Sequence, residues 1–68
     1  MFLRFLFDGA SKKIWVRVKI VRETPKAYLI EHCGRREWYP KSGVYRKKME
    51  GADVLILVRE SFWSIKFP

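Results

Sequence analysis

KIWVRVKIVR, residues 13–22, is the stretch on which the fold turns. In it Ile14, Val16, Val18 and Ile20 alternate with Trp15, Arg17, Lys19 and Val21. Successive side chains leave a pleated backbone on opposite sides, so a period of two carried by β-branched residues predicts a strand with its aliphatic face inward. Trp15, Arg17 and Lys19 then stand in a row on the outward face.

Punctuation on the C-terminal side of that strand extends the pattern. Pro25, in Glu23-Thr24-Pro25-Lys26, removes an amide donor and pushes Thr24 into an extended conformation, which predicts a turn. KAYLIEH (26–32) resumes as a strand, Cys33-Gly34-Arg35 reads as a three-residue connection, and REWY (36–39) returns to complete a hairpin. Alternation in EWYP puts Trp38 and Pro40 on one side and Glu37 and Tyr39 on the other. Trp38 is the expected core residue and Tyr39 the expected surface one. VLILVR (54–59) lacks alternation and reads as a strand covered on both faces, while FWSIKF (62–67) reads as a strand with Trp63, Ile65 and Phe67 inward. FLRFLF (2–7) adds one more. A helix is expected only around 44–50, for one turn at most, because YRKKME contains good helix formers but no apolar stripe.

These segments make five to six short strands, broken at Asp8-Gly9, Pro25, Gly34, Pro40 to Gly43 and Gly51. The expected architecture is all-β: one small domain over residues 1–68, built as a strongly bent antiparallel sheet or barrel of SH3-like or OB-like size. A chain of 68 residues has room for one small core, and 49% hydrophobic and 16% aromatic residues are enough to build it.

Charge is the outlier. Fifteen Lys and Arg against seven Asp and Glu leave a net charge of +8. Residues 11–48 hold twelve cations and three acids, a net +9, and the rest of the chain holds three cations and four acids, a net −1. Positive charge concentrated in this way costs self-repulsion that solubility alone does not require, and it is the footprint of a protein that meets a polyanion.

Catalytic and metal chemistry find little support. His32 and Cys33 are the only residues of their kinds, and as neighbours on a strand they point to opposite faces, which rules out a base and nucleophile pair. Two potential ligands fall short of the four that a structural zinc site uses, and the isolated glycines form no phosphate-cradling loop. No enzyme activity, cofactor or metal is expected. The single cysteine fits a reducing, cytoplasmic setting. MFLRFLFDG carries Arg4 within its apolar run and no small-residue cleavage site, so it reads as a strand rather than a signal peptide, and VLILV is far too short to span a membrane. The chain has no Asn and no Gln, a bias that points to a thermophilic source.

The stretch 21–44, VRETPKAYLIEHCGRREWYPKSGV, carries a motif on Glu23, Thr24, Lys26, Ala27, Leu29, Gly34, Trp38, Pro40, Lys41 and Ser42. It resembles a strand-turn-strand module of small phage, bacterial and archaeal proteins, departing from it at Tyr39, where an aliphatic residue is more usual. The resemblance implies a small β-barrel or half-barrel and carries no activity with it. In size, charge and aromatic content the whole chain also looks like the small basic proteins of archaeal ribosomes.

Nucleic acid is the partner these features favour. Lys and Arg neutralise phosphates and release counterions, and exposed rings stack on unpaired bases. The expected phosphate contacts are Arg17, Lys19, Lys41, Arg46, Lys47 and Lys48, with Trp15 and Tyr45 as stacking platforms. RNA is favoured over DNA because no helix is available for a major groove, and a ribosome-associated role is one expectation. The alternatives are an interaction module for an acidic protein partner and a small DNA-compacting protein of a thermophile.

Overall fold

The computed structural model describes residues 12–68. The expected strand 2–7 and the Asp8-Gly9 turn lie outside the described residues. Five strands, β1 (Lys13–Glu23), β2 (Ala27–His32), β3 (Arg35–Pro40), β4 (Val44–Glu50) and β5 (Asp53–Arg59), form one antiparallel sheet in the order β3-β2-β1-β5-β4. A 3-10 turn (Lys41–Gly43) links β3 to β4, and a helix, α1 (Glu60–Lys66), follows β5.

The long strand β1 serves two ladders. Its first half, from Lys13 to Val18, pairs with β5, and its second half, from Lys19 onward, pairs with β2. Val21 forms a bulge between Ile20 and Arg22, and a second bulge at Tyr45 interrupts the pairing of β4 with β5. A bulge adds an unpaired residue, bends its strand and sharpens the local twist, and residues of both ladders close over one shared core. How far they curl is visible in one contact. Lys47 on β4 places its Nζ 3.4 Å from the hydroxyl of Tyr28 on β2, although β1 and β5 lie between those strands in the sheet. The result is the expected all-β, strongly bent, barrel-like sheet.

Turns follow local chemistry. At Thr24-Pro25-Lys26-Ala27 the amide of Thr24 donates to the carbonyl of Ala27 at 2.8 Å, and Thr24 Oγ1 accepts from the Ala27 amide at 3.0 Å. Pro25 sits where its fixed φ suits the first central position. Between β2 and β3 the loop is Cys33-Gly34, with φ of 51° and 80°. A two-residue hairpin loop with both central residues at positive φ matches the right-handed twist of its strands, and Gly34 adopts that conformation without steric cost.

The core lies on the curled face. Val16 and Val18 of β1, Tyr28 and Ile30 of β2, Tyr39 of β3 and Val54, Ile56 and Val58 of β5 are buried there, with Ile14 and Ile20 packed at the margin. Helix α1 covers one end of this face by inserting Trp63 and Phe67, whose rings stack with centroids 4.3 Å apart. The Trp63 ring also meets Tyr39 and His32 at centroid distances of 5.6 and 5.3 Å.

Three local expectations are corrected. FWSIKF is helical rather than extended: Trp63 and Phe67 are buried, but Ile65 is 74% exposed. A spacing of four residues fits both a helix face and a strand face, so those two aromatics could not discriminate, and Ile65 is the residue on which the two readings differ. Residues 44–50 form a strand, not a helical turn, because pairing with β5 overrides the helix propensity of Arg, Lys, Met and Glu; the single helical turn falls on 41–43 instead. Tyr39 is fully buried and Trp38 is 45% exposed, the reverse of the expected assignment. The cause is the length of the connection. A two-residue loop pairs His32 with Arg35, Ile30 with Glu37 and Tyr28 with Tyr39. A three-residue loop would have set Trp38 opposite Ile30, and a slip of one residue moves every side chain of a strand to the other face.

Candidate nucleic-acid interface

The face of the sheet away from α1 is built by the other half of each alternation. Its cross-strand rows follow from the pairing. Trp15, Leu57 and Arg46 form one row and Arg17, Leu55 and Lys48 the next, while Lys13 stands opposite Arg59 at one end. On the β2 side, Lys19, Glu31 and Arg36 form a third row and Arg22, Leu29 and Trp38 a fourth. This open face carries Lys13, Arg17, Lys19, Arg22, Arg36, Arg46, Lys48 and Arg59 against Glu31, Glu50 and Asp53.

Some of that charge is already answered. Arg17 Nη1 lies 2.7 Å from Glu50 and 3.8 Å from Asp53, and Arg36 Nε lies 3.4 Å from Glu31. Lys19, Arg22, Arg46 and Lys48 have no carboxylate partner among the described residues. The Lys48 ammonium instead sits 5.2 Å from the centroid of the Trp15 ring, and the Lys13 ammonium 4.8 Å from that of Tyr45. Trp15 and Tyr45 are each 44% exposed. A ring flanked by cations and open to solvent can accept the face of an unpaired base while the cations meet the phosphates on either side.

The structure thus brings Trp15, Lys19, Arg46 and Lys48 onto one face, with Arg17 among them but ion-paired, and sets Tyr45 at the bulged end of the same sheet. Lys41 and Lys47 are elsewhere. Because β4 is a strand, Lys47 points opposite to Arg46 and Lys48, onto the curled side, where its Nζ and that of Lys41 each lie 5.1 Å from the centroid of Tyr28. Lys41 is also hydrogen-bonded to Glu23, which holds the Glu23 carboxyl below its ordinary range. Trp38, Arg22 and Arg36 belong to the open face but were not among the expected contacts. The hairpin register is the signal that would have found Trp38 and Arg36, whereas Arg22 reaches this face only through the bulge at Val21.

The helix-covered side offers a different setting. Tyr39 is buried against Phe62 and Trp63, its hydroxyl has no partner among the described residues, and burial pushes its pKa up to about 12. His32 places Nδ1 3.2 Å from the carbonyl oxygen of Arg17, where the N–H donates, and its ring lies edge-on to Trp63 and Phe67. Cys33 is exposed in the hairpin loop. A cleft of about 420 Å³ opens between Ile20, Val21, Met49 and Val54, rimmed by Lys19, Glu23 and Lys47. Its walls are largely aliphatic, and no histidine, cysteine or hydroxyl side chain lines it.

No protein-family model matches the chain, and neither a curated protein nor a solved structure shows detectable similarity to it.

Proposed function

We propose that the protein binds nucleic acid in the cytoplasm, RNA in preference to DNA, through the open face of its sheet, and that it acts as a binding protein rather than an enzyme. The observation that carries this reading is the exposed Trp15 ring with the Lys48 ammonium 5.2 Å away and Arg46 in the same cross-strand row, two cations that no carboxylate neutralises among the described residues. Phosphate contacts supply affinity without regard to sequence, and a ring on an open sheet stacks on a base only when that base is unpaired. Single-stranded RNA meets both conditions, and a ribosome-associated role would provide it in unpaired loops. Trp15 is the stacking platform, and Lys19, Arg46 and Lys48 are the phosphate contacts, with Tyr45 beside Lys13 extending the surface.

Titration of a labelled oligouridylate at several salt concentrations tests it. Affinity should fall linearly with salt on a double-logarithmic plot, with a slope of about 0.7 per phosphate neutralised on a single strand. Arg46→Ala combined with Lys48→Ala should lower that slope by about 1.4 and leave the circular dichroism spectrum unchanged. A slope unchanged in the double variant removes these residues from the interface. Duplex DNA in the same titration separates a DNA-compacting role, which would bind it more tightly than the single strand.

A second reading rests on the sheet margins. Strands β3 and β4 each have a neighbour on one side only among the described residues, so either could add a strand of a protein partner. That reading expects a complex that survives nuclease treatment.

A further inference from the structure

Trp38 stands on the open face at 45% exposure, close to the 44% of Trp15, and the pairing places it at the opposite corner of the β1-β2-β3 ladder. Its cross-strand row has the same make-up as that of Trp15. Leu29 lies beside it as Leu57 lies beside Trp15, and Arg22 ends its row as Arg46 ends the other, both arginines without a carboxylate partner among the described residues. Between the two rings lies Lys19.

Building on the proposed function, we infer that Trp38 is a second stacking platform and that the ligand is a single strand long enough to reach both rings. The register supplies the length. From Trp15 to the row of Arg22 is seven residues of β1, one of them bulged, or about 20 Å of strand, and β3 lies two strand spacings, about 10 Å, to the side. The two platforms are therefore about 22 Å apart along the sheet. A single strand drawn out to nearly twice its roughly 3.4 Å B-form rise covers that distance in about three to four steps, so about four to five nucleotides engage both rings. A base-paired duplex cannot do so, because its bases are stacked on each other and not on protein rings.

A length series of oligouridylates, from about three to about twelve nucleotides, titrated against the wild type, Trp38→Ala and Trp38→Phe, tests this inference. Wild-type affinity should step up by roughly 5- to 150-fold once the length reaches about four to five nucleotides, the worth of one more stacked base. In Trp38→Ala the step should vanish while affinity for the trinucleotide is retained, and Trp38→Phe, which keeps a ring, should restore most of it. Thermal melting of each variant verifies that it is folded. A Trp38→Ala protein that keeps the wild-type step overturns the second platform, and so does a wild type whose affinity rises smoothly with length. Loss of the salt slope in the wild type is a separate result that would remove the binding face altogether.

Discussion

Val16 and Val18 are 9% and 3% exposed, whereas Trp15 between Ile14 and Val16 is 44% exposed. The same contrast runs along β5, where Val54, Ile56 and Val58 are buried and Leu55 and Leu57 are half-buried. On the curled side, polar groups are few and most have a partner: Lys47 with Tyr28, His32 with a backbone carbonyl, Lys41 with Glu23. On the open side Lys19, Arg22 and Arg46 have none among the described residues. Two faces of one sheet, only about one side chain apart, thus divide into one whose interactions are satisfied internally and one whose charge remains to be met from outside. Burial sets this division. Removing a charge from water is costly unless it is paired, so unpaired cations collect where solvent still reaches them, which is also where a polyanion can.

The comparison can be broken most decisively at Ile56. It is fully buried between Val16 and Lys47 in the register, and truncation to Ala should cost about 2 to 5 kcal/mol through lost transfer energy and a cavity. A domain of this size has roughly 3 to 5 kcal/mol in total, so Ile56→Ala should be largely unfolded at room temperature by circular dichroism. Leu57→Ala, one residue along but facing the open side between Trp15 and Arg46, should retain a cooperative melt. Equal losses at the two positions would show that the open face is as much a core as the curled one.

The division was legible wherever two-residue alternation was long enough to leave no choice. KIWVRVKIVR has one reading, and both the burial of Val16 and Val18 and the exposure of Trp15 follow from it. Legibility failed where a periodicity or a register had two solutions. Trp63 and Phe67 satisfy strand and helix alike, and the hairpin at Cys33-Gly34 inverts Trp38 and Tyr39 on the difference of one loop residue. Cys33 is the reason that difference was hidden: a non-glycine residue at a φ of 51° is uncommon, and only Gly34 announced a left-handed position. The interface depends on both kinds of ambiguity: because 44–50 is a strand, Lys47 parts from Arg46 and Lys48, and because the hairpin loop has two residues, Trp38 leaves the core for the row of Arg22 and Leu29.

Tyr39 sharpens the contrast at smaller scale. Its buried hydroxyl lacks a partner among the described residues, so Tyr39→Phe should leave stability unchanged or raise it by about 1 kcal/mol. The sign of its pH dependence is definite. The folded protein holds the proton up to about 12, against an ordinary tyrosine value of 10.0, so between those values the unfolded chain binds fewer protons than the folded one. Stability is therefore fully present below pH 10 and falls as pH rises from 10 to 12. Denaturant titrations of wild type and Tyr39→Phe at pH 9 and pH 11 should show the wild type losing more, with the difference between the two proteins isolating this group from the lysines. A parallel fall in both would mean that the hydroxyl is solvated and that this side of the sheet is less closed than its burial implies.

The smallest effect is expected at Lys41. Its ammonium is engaged by Glu23 and by the face of Tyr28 on the helix-covered side, so Lys41→Ala should change oligouridylate affinity far less than Lys48→Ala. The hydrogen bond from Lys41 is the main cause of the lowered Glu23 pKa, and a carboxyl with a depressed folded-state pKa contributes stability that is present above its unfolded value of 4.5 and lost as pH falls through the folded one. The wild type should therefore hold a small advantage over Lys41→Ala near neutrality that disappears on acidification below pH 4.5. Exposed ion pairs are weak, so the advantage calls for paired melts on the same day and buffer. If Lys41→Ala instead weakens binding as strongly as Lys48→Ala, then the ligand wraps over the rim of the sheet onto the curled side, and the boundary between the two faces does not bound the site.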